Sequence, residues 1–220
     1  MGSLTDIEIT SNYYFPCGVY SFKDKKYISN LLKVSKNIFK EMGEKAAQVG
    51  DIYPIRQTFN FNGHPDIEDF RVALGHASWR ILDSQGYDMS SFDMVISELW
   101  CQEHHKYSGH DTHIHGAQGQ ICGFYFLECE KDSIRALIHD PRDVKVYANL
   151  PQKQVDDITY ASSTINFMPE PGMFLFMNTW MPHAFTRNAS NKPVKFIHFN
   201  IGVVPRMLEQ RECPAQAEII

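Results

Sequence analysis

The segment Gly109-His110-Asp111-Thr112-His113-Ile114-His115-Gly116 decides how this chain of 220 residues is read. Gly109 and Gly116 bracket it as turn formers, and the run between them is short enough to be one extended piece. In an extended strand alternate side chains share a face, so Asp111, His113 and His115 are expected to point the same way. A further histidine answers them from downstream. His183 closes the loop Trp180-Met181-Pro182-His183, which follows the strand-like run Gly172-Met173-Phe174-Leu175-Phe176-Met177. Two imidazoles close together, with a third delivered from another strand, is how a β-scaffold assembles a three-ligand metal face with open coordination positions. A lone strand histidine carries no such message. Two on one face, with His110 and Asp111 beside them and His183 in an ordered strand-loop-histidine context, do.

Outward from this segment the chain is punctuated by Gly, Pro, Asn and Asp. Residues 92–99, 120–128, 133–138, 164–168, 172–177 and 194–204 form short apolar or alternating runs between those turn signals. Such spacing predicts a β-sandwich or barrel rather than a βαβ array. Two helices are expected ahead of it. Residues 25–48 place Ile28, Leu31, Leu32, Val34, Ile38, Phe39 and Met42 near helical spacing, with Gly50-Asp51 as the stop. Residues 66–84 begin behind Pro65 and offer Ile67, Phe70, Val72, Leu74, Trp79 and Leu82 to a core. The expected fold is mostly β, two helices buttressing one face of a jelly-roll-like double sheet. One domain over 1–220 is predicted: helical support in 1–91, the β core in 92–204 and a tail in 205–220.

Composition narrows the partners. A hydrophobic share of 43% and a charged share of 21% are those of a soluble globular protein. A formal net charge of −5 supplies no attraction for nucleic acid or an anionic membrane. The five cysteines (Cys17, Cys101, Cys122, Cys129, Cys213) are odd in number and form no C-x-x-C pair, which reads as free thiols in a reducing compartment. The start, Met1-Gly2-Ser3-Leu4-Thr5-Asp6, lacks the basic-then-apolar pattern of a signal peptide, and no apolar run reaches the ~18 residues of a membrane span. A cytoplasmic location is expected.

The order of motifs then suggests a family. His113-x-His115, Cys122-Gly123-Phe124-Tyr125-Phe126-Leu127, Asp140-Pro141-Arg142, Pro171-Gly172-Met173-Phe174-Leu175-Phe176, Trp180-Met181-Pro182-His183 and Phe199-Asn200 follow one another across 92–204. Together they resemble the 2-oxoglutarate/iron(II) oxygenases of the prolyl-hydroxylase-like superfamily, in the small branch that carries a paired-His motif. The resemblance implies a double-stranded β-helix, Fe(II) as metal and 2-oxoglutarate as co-substrate. It makes His113 the first ligand and His183 the distal one. The second position of the family's His-x-Asp/Glu is here His115. Three arrangements follow: His115 ligates and gives a three-His face; Asp111 supplies the carboxylate instead; or His115 is the first ligand and Ala117 occupies the carboxylate place. They are taken in that order.

The family also implies a cation on the last strand for the far carboxylate of 2-oxoglutarate. Lys195, twelve residues beyond His183, is the first choice and Arg187 its competitor. Alternation separates Lys195 from Val194, Phe196 and His198, so only one of these sets can face the pocket. Tyr125 is a further candidate for that carboxylate. His104 and His105 are expected in a polar, exposed loop bordering the mouth, and 102–111 and 143–160 are the loops expected to meet substrate. The expected activity is hydroxylation of a small molecule or protein side chain, with succinate and CO2 as co-products. A three-His dioxygenase independent of 2-oxoglutarate and a non-catalytic jelly-roll binding module are the alternatives.

Overall fold

The computed structural model describes residues 18–43, 47–48, 55–116, 119–142, 145 and 150–206. Ala117, Cys17, Cys213, the first six residues, the Gly50-Asp51 stop and the tail past 206 lie outside them. Eleven strands are described: β1 (Val19–Lys23), β2 (Ala47–Gln48), β3 (Ile55–Gln57), β4 (Phe92–His104), β5 (His110–His113), β6 (Ile121–Glu128), β7 (Ala136–His139), β8 (Thr164–Phe167), β9 (Met173–Asn178), β10 (His183–Phe185) and β11 (Val194–Pro205). They form a seven-stranded sheet in the order β1-β9-β6-β11-β4-β3-β2 and a four-stranded sheet in the order β5-β10-β7-β8. Every pairing is antiparallel. From β4 to β11 the chain passes between the two sheets to build eight strands of a double-stranded β-helix. β1, the short pair β2–β3 and the strand at β10 add to the runs expected from sequence, and β5 is the extended piece expected around Asp111 and His113.

The helices are α1 (Ile28–Met42) and α2 (Glu68–Ser84). In α1, Leu31, Val34, Ser35, Ile38 and Phe39 are buried, the stripe of one helical face. α2 follows a turn of 3-10 helix at Pro65–Ile67, where His64 Nδ1 accepts from the Asp66 amide at 3.2 Å. Glu68 and Asp69 then sit at the positive end of the helix dipole. Both helices pack on the outer face of the large sheet. There Leu31, Ile38, Phe70 and Leu74 meet Leu99, Tyr125, Phe174, Ile197 and Phe199.

A second apolar cluster lies between the sheets and contains Phe124, Phe126, Ile138, Leu175, Met177, Phe185 and Phe196. Strand β6 is buried on both faces through seven of its eight residues, because it feeds the helix side and the sheet interior in turn. β11 behaves the same way. Ile197, Phe199 and Ile201 face the helices, while Val194 and Phe196 face inward.

Gly123 is the tightest point of β6. A Cβ there would collide with the Leu175 carbonyl and come within 2.6 Å of the Phe199 ring. Both are held by paired strands, so neither can retreat. Gly123→Ala is expected to destabilise the fold by about 1–3 kcal/mol, the range of core overpacking. Urea unfolding of the two proteins checks it; an unchanged midpoint would show that the strands give way easily.

Candidate metal centre

β10 pairs with β5 so that His183 stands opposite His113 and Phe185 opposite His110. Between these pairs one residue of β10, Ala184, opposes two of β5, Asp111 and Thr112, and this register shift is a bulge. It alters the expected alternation. The His110 and His113 rings lie 4.3 Å apart on one side, whereas Asp111 is exposed. Asp111 therefore does not share the face of His113, and the carboxylate alternative finds no support in its position. The extra residue of the bulge turned it outward.

His115 lies just past β5. Its backbone N–H donates to the Thr179 carbonyl at 2.9 Å, which ties this segment to the loop that leads into β10. The ligand atoms of His113, His115 and His183 all lie within 4.8 Å of one another, an arrangement able to hold a metal ion. Ring centroids are 4.4 Å apart for His113 and His183, 5.2 Å for His113 and His115, and 5.1 Å for His115 and His183.

Hydrogen bonds fix which nitrogens are free. A carbonyl only accepts, so His183 Nδ1–H donates to Met181 O at 2.9 Å and His113 Nδ1–H to Asp111 O at 2.8 Å. With Nδ1 as the donor, Nε2 is the nitrogen that each ring can turn toward a metal. His183 Nε2 faces His115 Nε2 at 3.2 Å, a convergence of nitrogens that suits a shared cation. Behind His115, its Nδ1 lies 3.5 Å from the side-chain amide of Asn200, whose Nδ2 donates to Glu98. Partners of this kind orient metal-binding imidazoles.

Burial, reinforced by the neighbouring imidazoles His113 and His110, pushes His115 down to about 4. Burial pushes His183 down to about 3, and the nearby histidines add to the shift although the Met181 carbonyl opposes it. These two rings are neutral, and so have lone pairs available, across the physiological range.

Three sequence expectations are corrected here. Lys195 shares the outer face with Ile197 and Phe199, where it bridges Glu128 at 2.9 Å and Glu103 at 3.6 Å. Strand alternation sends it to the helix side. Tyr125 is in the same phase: its ring packs 5.2 Å from Phe70 and its hydroxyl donates to Asp24 O at 2.8 Å. Arg187 is exposed beyond the end of β10. None of the three reaches the histidine cluster.

His104, expected in an exposed loop, is instead fully buried at the end of β4. Sequence reasoning did not single out Glu98 or His198 as neighbours of the triad, and it gave Asn200 only as the end of a motif. The phase of β11 was the available signal, since the set containing His198 is the one that turns inward.

The fold is a double-stranded β-helix, and it carries a cluster of three histidines that could hold a metal ion. Residues 98–200 match the family model described as "Putative 2OG-Fe(II) oxygenase". Over this barrel segment the chain is similar to the 2-oxoglutarate/Fe(II)-dependent oxygenases. Solved structures agree on the fold. The non-heme α-ketoglutarate-dependent epimerase SnoN from nogalamycin biosynthesis superposes with a TM-score of 0.60 at 11% identity, covering 86% of this chain and 81% of that one. A Pseudomonas putida prolyl-4-hydroxylase gives 0.55 at 10% identity, with 84% and 93% covered. HygX from Streptomyces hygroscopicus, solved with nickel and 2-oxoglutarate bound, gives 0.51 at 12% identity, with 84% and 83% covered. No curated protein sequence matches.

The buried histidines make the metal-free protein sensitive to acid. His104 and His183 are pushed to about 3 and His110 and His115 to about 4, from an ordinary 6.5. A depressed folded-state value means that the unfolded chain binds protons first. Stability is therefore complete above 6.5 and is lost as pH falls toward the folded-state values. Thermal melting in chelator should show a plateau above about pH 7 and a steady fall below about pH 6.5. A melting temperature flat down to about pH 5 would contradict neutral buried imidazoles.

Proposed function

We propose that this protein hydroxylates a small-molecule or protein side-chain substrate, with Fe(II) held by His113, His115 and His183 and 2-oxoglutarate consumed alongside. The observation that carries this reading is the convergence of three ligand nitrogens within 4.8 Å where β5 meets β10. When bound there, Fe(II) and the keto acid supply oxygen activation: 2-oxoglutarate is oxidised to succinate and CO2, and the second oxygen atom becomes the substrate's hydroxyl.

The chain's own residues do the rest. Met181 and Asp111 carbonyls lock the rings of His183 and His113 with Nε2 forward. The Asn200 amide, anchored on Glu98, sets the tilt of His115. The Phe124 ring, 5.6 Å from His183, and the His198 ring, 4.7 Å from His115, wall off the inner side from water. A pocket of about 170 Å³ opens at the free edge of the small sheet. Ile138, the β-partner of His183, lines it together with Met181, Tyr160 and Arg142. Arg142 stacks over Tyr160 at 4.4 Å and is tied to Asp140, so the pocket combines an aromatic floor with fixed charge. This side is the proposed substrate approach.

A cytoplasmic location and no nucleic-acid partner complete the proposal. They are supported by the net charge of −5 and by the lack, among the described residues, of any helix long and apolar enough to cross a membrane.

Purified protein given Fe(II), 2-oxoglutarate and O2 is expected to release succinate, and His183→Ala to abolish that release. In calorimetric titration with Mn(II), His115→Ala should weaken binding about tenfold or more, while Asp111→Ala stays within about twofold of wild type. The reverse ranking would remove His115 from the ligand set. Iron binding without any turnover of 2-oxoglutarate would transfer support to the three-His dioxygenase or the binding module.

A further inference from the structure

The polar groups inside the barrel stand in line on two paired strands. His198 is opposite Trp100, Phe196 opposite Gln102, and Val194 opposite His104. Among the described residues, the inward positions of β4, β6, β10 and β11 carry no Lys or Arg. A far carboxylate reaching this side of the barrel would meet Phe124, Phe185 and Phe196, among which an uncompensated charge is not tolerated.

His104 is placed to meet it. Its ring lies 5.0 Å from Phe196 and 5.6 Å from Phe185. It is 6.3 Å from the ring of His110, which in turn is 4.3 Å from His113 of the metal face. Gln102 fixes its protonation geometry. Gln102 Nε2 donates to Gln57 at 2.9 Å, which leaves Oε1 to accept from His104 Nε2 at 3.3 Å. The other nitrogen, Nδ1, is buried and makes no hydrogen bond. A ring whose Nε2–H is already committed to Gln102 can offer a second N–H only as an imidazolium.

We propose that His104, held in place by Gln102, is the cation that grips the far carboxylate of 2-oxoglutarate and takes up a proton from solvent as the co-substrate enters. The inference rests on the oxygenase reading and assigns to β4 the task that Lys195 cannot perform from the outer face. The surroundings make the proton uptake conditional on the ligand. Burial, with His110 of β5 and His105 just past the end of β4, keeps the ring neutral before the ligand arrives. β10 and β11 present only Phe185, Val194 and Phe196, and Ile55 of β3 pairs with it through backbone. Glu103 points to the other side of β4, toward Lys195. Only the incoming carboxylate supplies the negative charge that an imidazolium needs here.

The test uses the full chain loaded with Mn(II) and two ligands, 2-oxoglutarate and 2-oxopentanoate. The second has the same metal-binding end and a methyl group in place of the far carboxylate. Calorimetry in two buffers of different ionisation heat counts protons taken up. Wild type should take up about one more proton with 2-oxoglutarate than with 2-oxopentanoate near pH 7.5. His104→Phe should weaken 2-oxoglutarate about tenfold or more, leave 2-oxopentanoate within about twofold, and abolish the extra proton. His104→Gln, which keeps a neutral donor, should abolish the extra proton with a smaller loss of affinity. Retained 2-oxopentanoate binding reports that each variant is folded.

An absent extra proton in wild type overturns the proposal, as does an equal loss of both ligands in His104→Phe. Binding of both keto acids unaffected by either substitution removes His104 alone and leaves the oxygenase reading in place. Failure of either keto acid to bind the Mn(II) protein overturns both.

Discussion

The antiparallel pairing of β10 with β5 is the constraint on which the rest of the site depends. It sets His183 directly across from His113, and the register shift behind them turns His110 inward and Asp111 outward. Without that bulge, strict alternation would place His113 beside Asp111 and away from His110, and a different donor set would face the barrel. The large sheet serves this pairing. Its β6 and β11 are packed on both faces, so the backbone that carries the inner wall has little freedom to move. Helices α1 and α2 contribute from the outside, filling the apolar face that the large sheet would otherwise expose.

A second constraint is electrostatic. The interior behind the three-histidine cluster is furnished mainly with buried imidazoles, and Lys and Arg are absent from its described inward positions. His198 is fully buried between Trp100, His115 and Phe124, and burial drives it well below the ordinary value for a histidine. Neither of its nitrogens has a partner, and neither does Trp100 Nε1. Unpaired buried donors each cost about 1–3 kcal/mol, so a row of them along one wall marks a surface shaped for a polar guest. Glu98 apart, which holds Asn200 on the inner side, the ion pairs of these strands lie on the opposite face. Glu103, Glu128 and Lys195 form a cross-strand group there, near Arg56. The outer face of these strands thus carries ion pairs at the Lys195 end and helix-packed apolar residues beyond it, while the inner face is lined with imidazoles.

Much of this was legible in the order of residues. The punctuated apolar runs gave six of the barrel strands, and the helical stripes gave α1 and α2, because burial periodicity is a local property that the chain writes directly into its sequence. His113, His115 and His183 could be named for the same reason: their spacing and motif context are local. What sequence could not supply was phase. Lys195 and Tyr125 sit on strands whose two faces are both buried, so apolar residues occur at every position and periodicity does not say which side holds the pocket. The three-dimensional stacking of α1 and α2 on one face decided it. Asp111 was misplaced by a bulge, which depends on the partner strand. His104 looked like loop because its strand runs on past the apolar residues, held there by pairing with β3 and β11 on either side. The sequence by itself determined the elements and the histidines that come together as candidate metal ligands. Only the tertiary structure determined which face each strand turns inward, since that choice is made by contacts between residues far apart in the chain.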